Sequence, residues 1–156
     1  MIKIDHEFLN KLETEAKNSP RRRKNHNFHK TPDDTLQRMV HAMEADTYVQ
    51  PHKHENPDKS EAFIILKGRV AVIKYDDGGK VTDHILMDRD TGNYGVDIPP
   101  RTWHSLICLE PGSMVYEVKD GPYNPGDDKF FASWAPAEGD KDALKYNEKI
   151  IKLLNL

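Results

Sequence analysis

The chain has a single cysteine, and one thiol cannot close a disulfide within it. Cys108 lies in an apolar stretch and reads as a packed thiol. No run among the 156 residues approaches the ~20 consecutive apolar residues of a membrane-spanning helix. The N-terminus, MIKIDHEFLNKLETEAK, is charged and amphipathic and lacks the apolar core of a signal peptide. The expectation is therefore a soluble, cytoplasmic protein in a reducing compartment. Positive charge is not in excess either. Lys and Arg number 23 against 26 Asp and Glu, a formal net charge of -3. That argues against nucleic acid as a bulk partner, and no DNA-binding helix pair or basic recognition helix is visible. Internal repeats and low-complexity tracts are also missing. The length suits one domain with a real core.

What is present is a histidine-rich stretch, Thr47 to Val70, TYVQPHKHENPDKSEAFIILKGRV. Side chains alternate along a strand, so His52 and His54 point the same way. Pro51 before them suits a strand start or an edge. After the Asn56-Pro57-Asp58 turn signal, Ala62 to Leu66 is apolar and rich in β-branched residues, as a returning strand would be. Glu61 stands at its mouth. Two imidazoles and a carboxylate on one wall are a ligand set for a first-row metal such as Zn, Fe, Mn or Ni. A fourth ligand is available at His104, which opens the apolar strand after Pro99-Pro100-Arg101-Thr102-Trp103. Singly, each residue has a plainer reading. His52 and His54 fit a polar surface strand, His104 fits a core histidine beside Trp103, and Glu61 fits a strand-start residue paired with Lys59.

The order His-x-His, spacer, Glu, six residues, Gly68 resembles the first signature of the cupins, and Pro99 to His104 resembles the second. The spacer after His54 is longer than is usual there, and Arg101 stands where the signature has Gly. The interval from Glu61 to Gly68 favours Glu61 over Glu55. The whole chain, N-terminal segment included, resembles the WbuC-type cupin fold metalloproteins, small bacterial proteins often associated with surface polysaccharide (O-antigen) biosynthesis. The resemblance implies an all-β cupin jelly-roll barrel, one divalent metal ion, and a small-molecule partner such as a sugar or nucleotide-sugar. Many cupins dimerise, which makes a homodimer the expectation.

The rest of the chain can be read in order. Residues 5–18 form a helix capped by Asp5, with Phe8, Leu9, Leu12 and Ala16 at helical spacing. Asn18-Ser19-Pro20 ends it. The basic run that follows reads first as a solvated loop. If it is extended, Arg23, Asn25, Asn27 and His29 share one face, and the resemblance implies that such a segment packs near the site mouth. Short strands follow at 37–43, 47–54, 63–66, 70–75, 81–87, 96–98, 103–109 and 113–119, with a hairpin at Asp76-Asp77-Gly78-Gly79. Arg38 and His41 fall on opposite faces of the first. His84 reads as exposed, and His6 and His41 have no partner in sequence. Residues 1–30 are thus an N-terminal helix and basic segment, 36–119 a barrel, and 120–156 a tail. Phe130, Phe131 and Trp134 are expected to pin the tail down, and a helix is expected over 140–154.

Three further residues carry open alternatives. Glu117 is a candidate acid or base if its face of the strand points inward, and a surface residue otherwise. Tyr123 covers the mouth or simply packs. Arg38 binds an anionic substrate or makes a surface pair. Lys59 joins the candidate substrate-binding residues. The chemistry of such a site divides three ways: a metal-dependent isomerase or epimerase, an Fe(II)-dependent dioxygenase, or a non-enzymatic sugar- or metal-binding module.

Overall fold

The structure is a computed structural model and describes residues 1–156. Ten strands and two helices run in the order α1 (His6–Lys17), β1 (Arg23–Asn27), β2 (Leu36–Met43), β3 (His52–Lys53), β4 (Glu61–Lys67), β5 (Arg69–Tyr75), β6 (Val81–Asp88), β7 (Gly95–Ile98), β8 (Trp103–Cys108), β9 (Ser113–Asp120), β10 (Phe130–Phe131) and α2 (Ala143–Leu154). They form two antiparallel sheets of five strands, β1-β2-β9-β4-β7 and β10-β3-β8-β5-β6. The sheets pack face to face as a cupin jelly-roll barrel, with one helix on each outer side. No helix is long and apolar enough to cross a membrane.

Strand alternation decides what each side of a sheet meets. In β2, Val40 and Ala42 point outward and are buried beneath Leu12 and Ala16 of α1. In β5, Ala71, Ile73 and Tyr75 point outward and pack with Ile107 and Ile150 of α2. The opposite faces of these strands supply Met43, Val70 and Val72 to the interior, together with Phe63, Ile65, Leu106 and Val115. Both faces of β2 and β5 are therefore covered. That is why these strands read as near-continuous apolar runs and the alternation in 37–43 looked imperfect. Burying each large side chain is worth ~1.5–3 kcal/mol, so the two helices stabilise the barrel as well as lining it.

Helix α1 begins as its sequence directs. The Asp5 carboxylate accepts from the Phe8 amide at 3.1 Å, which satisfies one of the free N–H groups of the first turn. One tail expectation needs correcting. Phe130 and Phe131 are 39% and 55% exposed and do not anchor the tail through burial. They pair as strand β10 with Lys53 and His52 of β3, so backbone hydrogen bonding holds them. Ala132 is buried, and Trp134 packs against Tyr75 with ring centroids 5.1 Å apart.

Candidate metal centre and its cavity

The interior of the barrel is apolar at one end and polar at the other. Along β8, His104 shares the inward face with Leu106 and Cys108. Along β4, Glu61 shares it with Phe63 and Ile65. His52 on β3 lies opposite His104 in register, and His54 follows just past the strand end. The ligand atoms of His52, His54, Glu61 and His104 all lie within 4.8 Å of one another, and all four residues are buried.

The tautomers of the three imidazoles follow from their partners. His52 Nδ1 lies 2.8 Å from the Gln50 carbonyl and His104 Nδ1 lies 2.9 Å from the Thr102 carbonyl. His54 Nδ1 meets the Asp128 carbonyl. A carbonyl oxygen only accepts, so each Nδ1 carries the proton and donates it. Each Nε2 is left with a bare lone pair. His54 Nε2, His104 Nε2 and Glu61 Oε1 are buried without a hydrogen-bond partner. His104 Nε2 is nevertheless 2.5 Å from Glu61 Oε1, and His54 Nε2 is 3.3 Å from it. Lone pairs facing a carboxylate oxygen at that range repel unless a cation lies among them. Buried polar atoms left unpaired are costly, so this donor set fits a metal ion.

The electrostatics agree with the lone-pair argument. Burial holds the His52 imidazole well below its ordinary range, and the positive charge of Lys129 adds to the effect. A neutral imidazole is the ligating form. Burial alone would raise the Glu61 carboxyl, and positive charge on its imidazole side, from His104 and His54 or from a cation held among them, keeps it well below the usual carboxylate range. Glu61 is thus the anionic member of the set.

The backbone also accommodates both departures from the cupin signatures. The long spacer after His54 loops out as a turn and returns so that Glu61 still opens β4. Arg101 adopts the left-handed conformation, φ +64°, that favours glycine. Its amide donates to the His54 carbonyl at 2.9 Å, and its guanidinium pairs with Asp58 at 2.8 Å. The same turn therefore ties the strand of His104 to that of His54.

His52 and Glu61 line a cavity of about 580 Å³. Arg23, Asn25, Asn27 and His29 line it too, the first three on strand β1 and His29 two residues past its end. Glu117 points inward and is buried, and it lines the same cavity. Tyr123 stands at the rim, 41% exposed. Arg38 and Lys59 are not brought there. Arg38 points to the outer face and donates to the Phe28 carbonyl at 3.3 Å. Lys59 is buried and pairs with Asp128 at 2.9 Å, not with Glu61.

Several cavity residues had no distinct signal in the sequence. His41 Nε2 lies 2.6 Å from Glu117 Oε2, across the β2–β9 pairing. The alternation that sets His41 opposite Arg38 was the only available hint. Burial would raise the Glu117 carboxyl, and His41 lowers it below its usual value. Lys119 shares the inward face of β9 with Glu117 and pairs with Asp128 at 2.7 Å. Asp128 and Lys129 come from the turn-rich tail, whose composition gives no register.

Comparison with known proteins bears on fold and family. No curated protein matches the sequence. Among solved structures, the capsular polysaccharide assembling protein CapF from Staphylococcus aureus is similar at TM-score 0.57 and 21% identity, over 69% of this chain and 29% of that one. KdgF from Halomonas sp. is similar at TM-score 0.52 and 18% identity, over 69% of this chain and 86% of that one. The Cellulomonas parahominis L-ribose isomerase is similar at TM-score 0.57 and 12% identity, over 80% of this chain and 72% of that one. The chain thus spans under a third of CapF. These likenesses show the cupin fold. A family model described as a domain of unknown function (DUF6016) matches residues 4–87, more than half of the sequence, and the chain belongs to that family.

Proposed function

We propose that the protein is a metal-dependent enzyme that moves a proton on a small sugar-type substrate, as an isomerase or epimerase does. The observation that carries this reading is a juxtaposition. Three imidazoles with free Nε2 atoms and the Glu61 carboxylate converge at a cavity whose wall holds a second buried carboxylate, Glu117, bonded to His41. His52, His54, Glu61 and His104 would hold one divalent ion. Such an ion supplies Lewis acidity toward a carbonyl or hydroxyl oxygen.

The protein's own groups do the remaining work. Glu117 takes up or returns the proton. His41 occupies its Oε2, leaving Oε1 without a hydrogen-bond partner on the cavity side. The His41 pairing keeps the carboxylate ionised despite burial, the state required of a base. Asn25, Asn27 and His29 supply hydrogen-bonding groups at the mouth, as hydroxyl-bearing substrates need. Tyr123 covers the rim.

The fold likeness to a capsular polysaccharide assembling protein and to a sugar isomerase supports this reading, as does the sequence resemblance to the WbuC-type proteins. We place the chain accordingly in surface polysaccharide biosynthesis, acting in the cytoplasm on a sugar or nucleotide-sugar, as a single domain that forms a homodimer. The test is solvent exchange. Metal-loaded protein is incubated in D₂O with a panel of sugars and nucleotide-sugars, and deuterium incorporation at carbon is followed by NMR. We expect incorporation into at least one substrate, reduced at least ~100-fold in Glu117→Gln. Ferrous-iron-dependent oxygen uptake without exchange would replace this reading with a dioxygenase. Binding without exchange or uptake across the panel would replace it with a binding module.

A further inference from the structure

The cationic side chains along the cavity are unevenly paired. Arg21 and Arg23 sit at the mouth, but both guanidiniums are held by Glu138, Arg23 at 2.6 Å. They are already answered by protein charge. On the opposite wall, Asp128 is 2% exposed, with one carboxylate oxygen on Lys59 and the other on Lys119. Lys129 follows in sequence, lines the cavity and has no ion-pair partner. Two lysine ammoniums therefore share one carboxylate, and the third has none within ion-pair distance.

Glu117 lends its negative charge to this region, but its carboxylate is bonded to His41 and makes no ion pair with either lysine. Glu61 is committed to the histidine set. Lys129 is exposed as a residue and lines the cavity. Desolvation and then the nearby Lys119 lower its pKa, against the pull of Glu117, Glu61 and Asp128. Lys119 also lies over the Tyr123 ring, 5.7 Å from its centroid, so it reaches the rim. Uncompensated ammonium groups beside a cavity concentrate anions there, and a charge-assisted bond at such a site is worth more than a neutral one.

We propose that Lys119 and Lys129 form an anion subsite, so that the molecule entering this cavity carries a carboxylate or phosphate group and is not a neutral sugar. The proposal rests on reading the cavity as the substrate site, and it assigns anion recognition to these lysines and not to the Glu138-bound arginines of the mouth. Lys119 offers what remains of a shared charge, and Lys129 offers a free one.

The test is an NMR titration of the full-length protein as purified, with ¹³C-labelled lysines. Inorganic phosphate and acetate are the two probes, which separates the phosphate case from the carboxylate case. We expect the Lys119 and Lys129 Cε signals to shift saturably with at least one probe. Lys129→Gln should weaken that binding by about tenfold or more, and Lys129→Arg should restore it. Saturable binding unchanged in Lys129→Gln would mean that the anion sits elsewhere, on a bound metal for instance, and would overturn the proposal. Weak, linear shifts spread over the surface lysines would overturn it too. The readout needs no turnover, so failure of the anion subsite and failure of the enzymatic reading are told apart.

Discussion

Asp128 connects the tail to the metal-ligand set through two kinds of bond. Its carboxylate is locked by two buried lysines, and its carbonyl accepts a hydrogen bond from His54 Nδ1. A ligand imidazole whose other nitrogen is fixed is preoriented, and partners of this kind typically govern affinity by 10–100-fold. We expect Asp128→Asn to weaken metal binding roughly tenfold in competition titrations while circular dichroism still reports a folded barrel. Unchanged affinity would reduce Asp128 to a structural anchor. At this scale the sequence was legible where a residue had a motif around it. His52, His54, Glu61 and His104 stand in recognisable order, and the structure brings them together. Asp128 and Lys129 lie among Gly, Pro and Asn, where no period places a side chain on a face.

The corner between β4 and β5 turns on Gly68, at φ +72°. A Cβ there would be driven into Ser113 Oγ and would sit 3.0 Å from the Ser113 Cα. Ser113 cannot yield easily. Its hydroxyl receives the Arg69 amide at 3.0 Å and lies 2.6 Å from the Glu110 carbonyl to which it donates. Gly68→Ala therefore combines backbone strain with a steric clash and should cost roughly 2–4 kcal/mol in chemical denaturation. A loss below about 0.5 kcal/mol would mean that the corner relaxes freely. Elements with strong local signals were readable in the sequence: the capped helix α1, the Asp76–Gly79 hairpin and most barrel strands, although the strand expected over 47–54 is only the two residues His52–Lys53. The tail was harder, because β10 is fixed by pairing with β3, a contact between segments far apart in sequence. Phe130 and Phe131 looked like anchors by composition, yet they serve through their backbones.

Across the whole molecule, protonation couples to stability in two stages. In the metal-free protein His52 binds protons less readily than in the unfolded chain, because its folded pKa lies below 6.5. Its contribution is fully present above about pH 6.5 and is lost as pH falls toward the lowered value. Glu61, Glu117 and Asp128 are also lowered, so their contributions persist further and vanish only as pH falls below the ordinary carboxylate range. Lys119 is raised and acts at the other extreme, with its contribution lost only as pH climbs through its raised value. Thermal unfolding of metal-free protein should show a flat midpoint near neutrality, a first decline below about pH 6.5 and a second below about pH 4. A midpoint that rises on acidification from pH 7 to 5 would contradict this assignment of the buried histidine.

The central claim is that the polar end of the barrel is a metal centre, and elemental analysis tests it most directly. Purified protein, reconstituted under reducing conditions, is compared with His52→Ala/His54→Ala after circular dichroism has shown both to be folded. We expect about one divalent ion per chain in the wild type and almost none in the double variant. A wild-type protein without stoichiometric metal, or a folded double variant that keeps it, would contradict the claim.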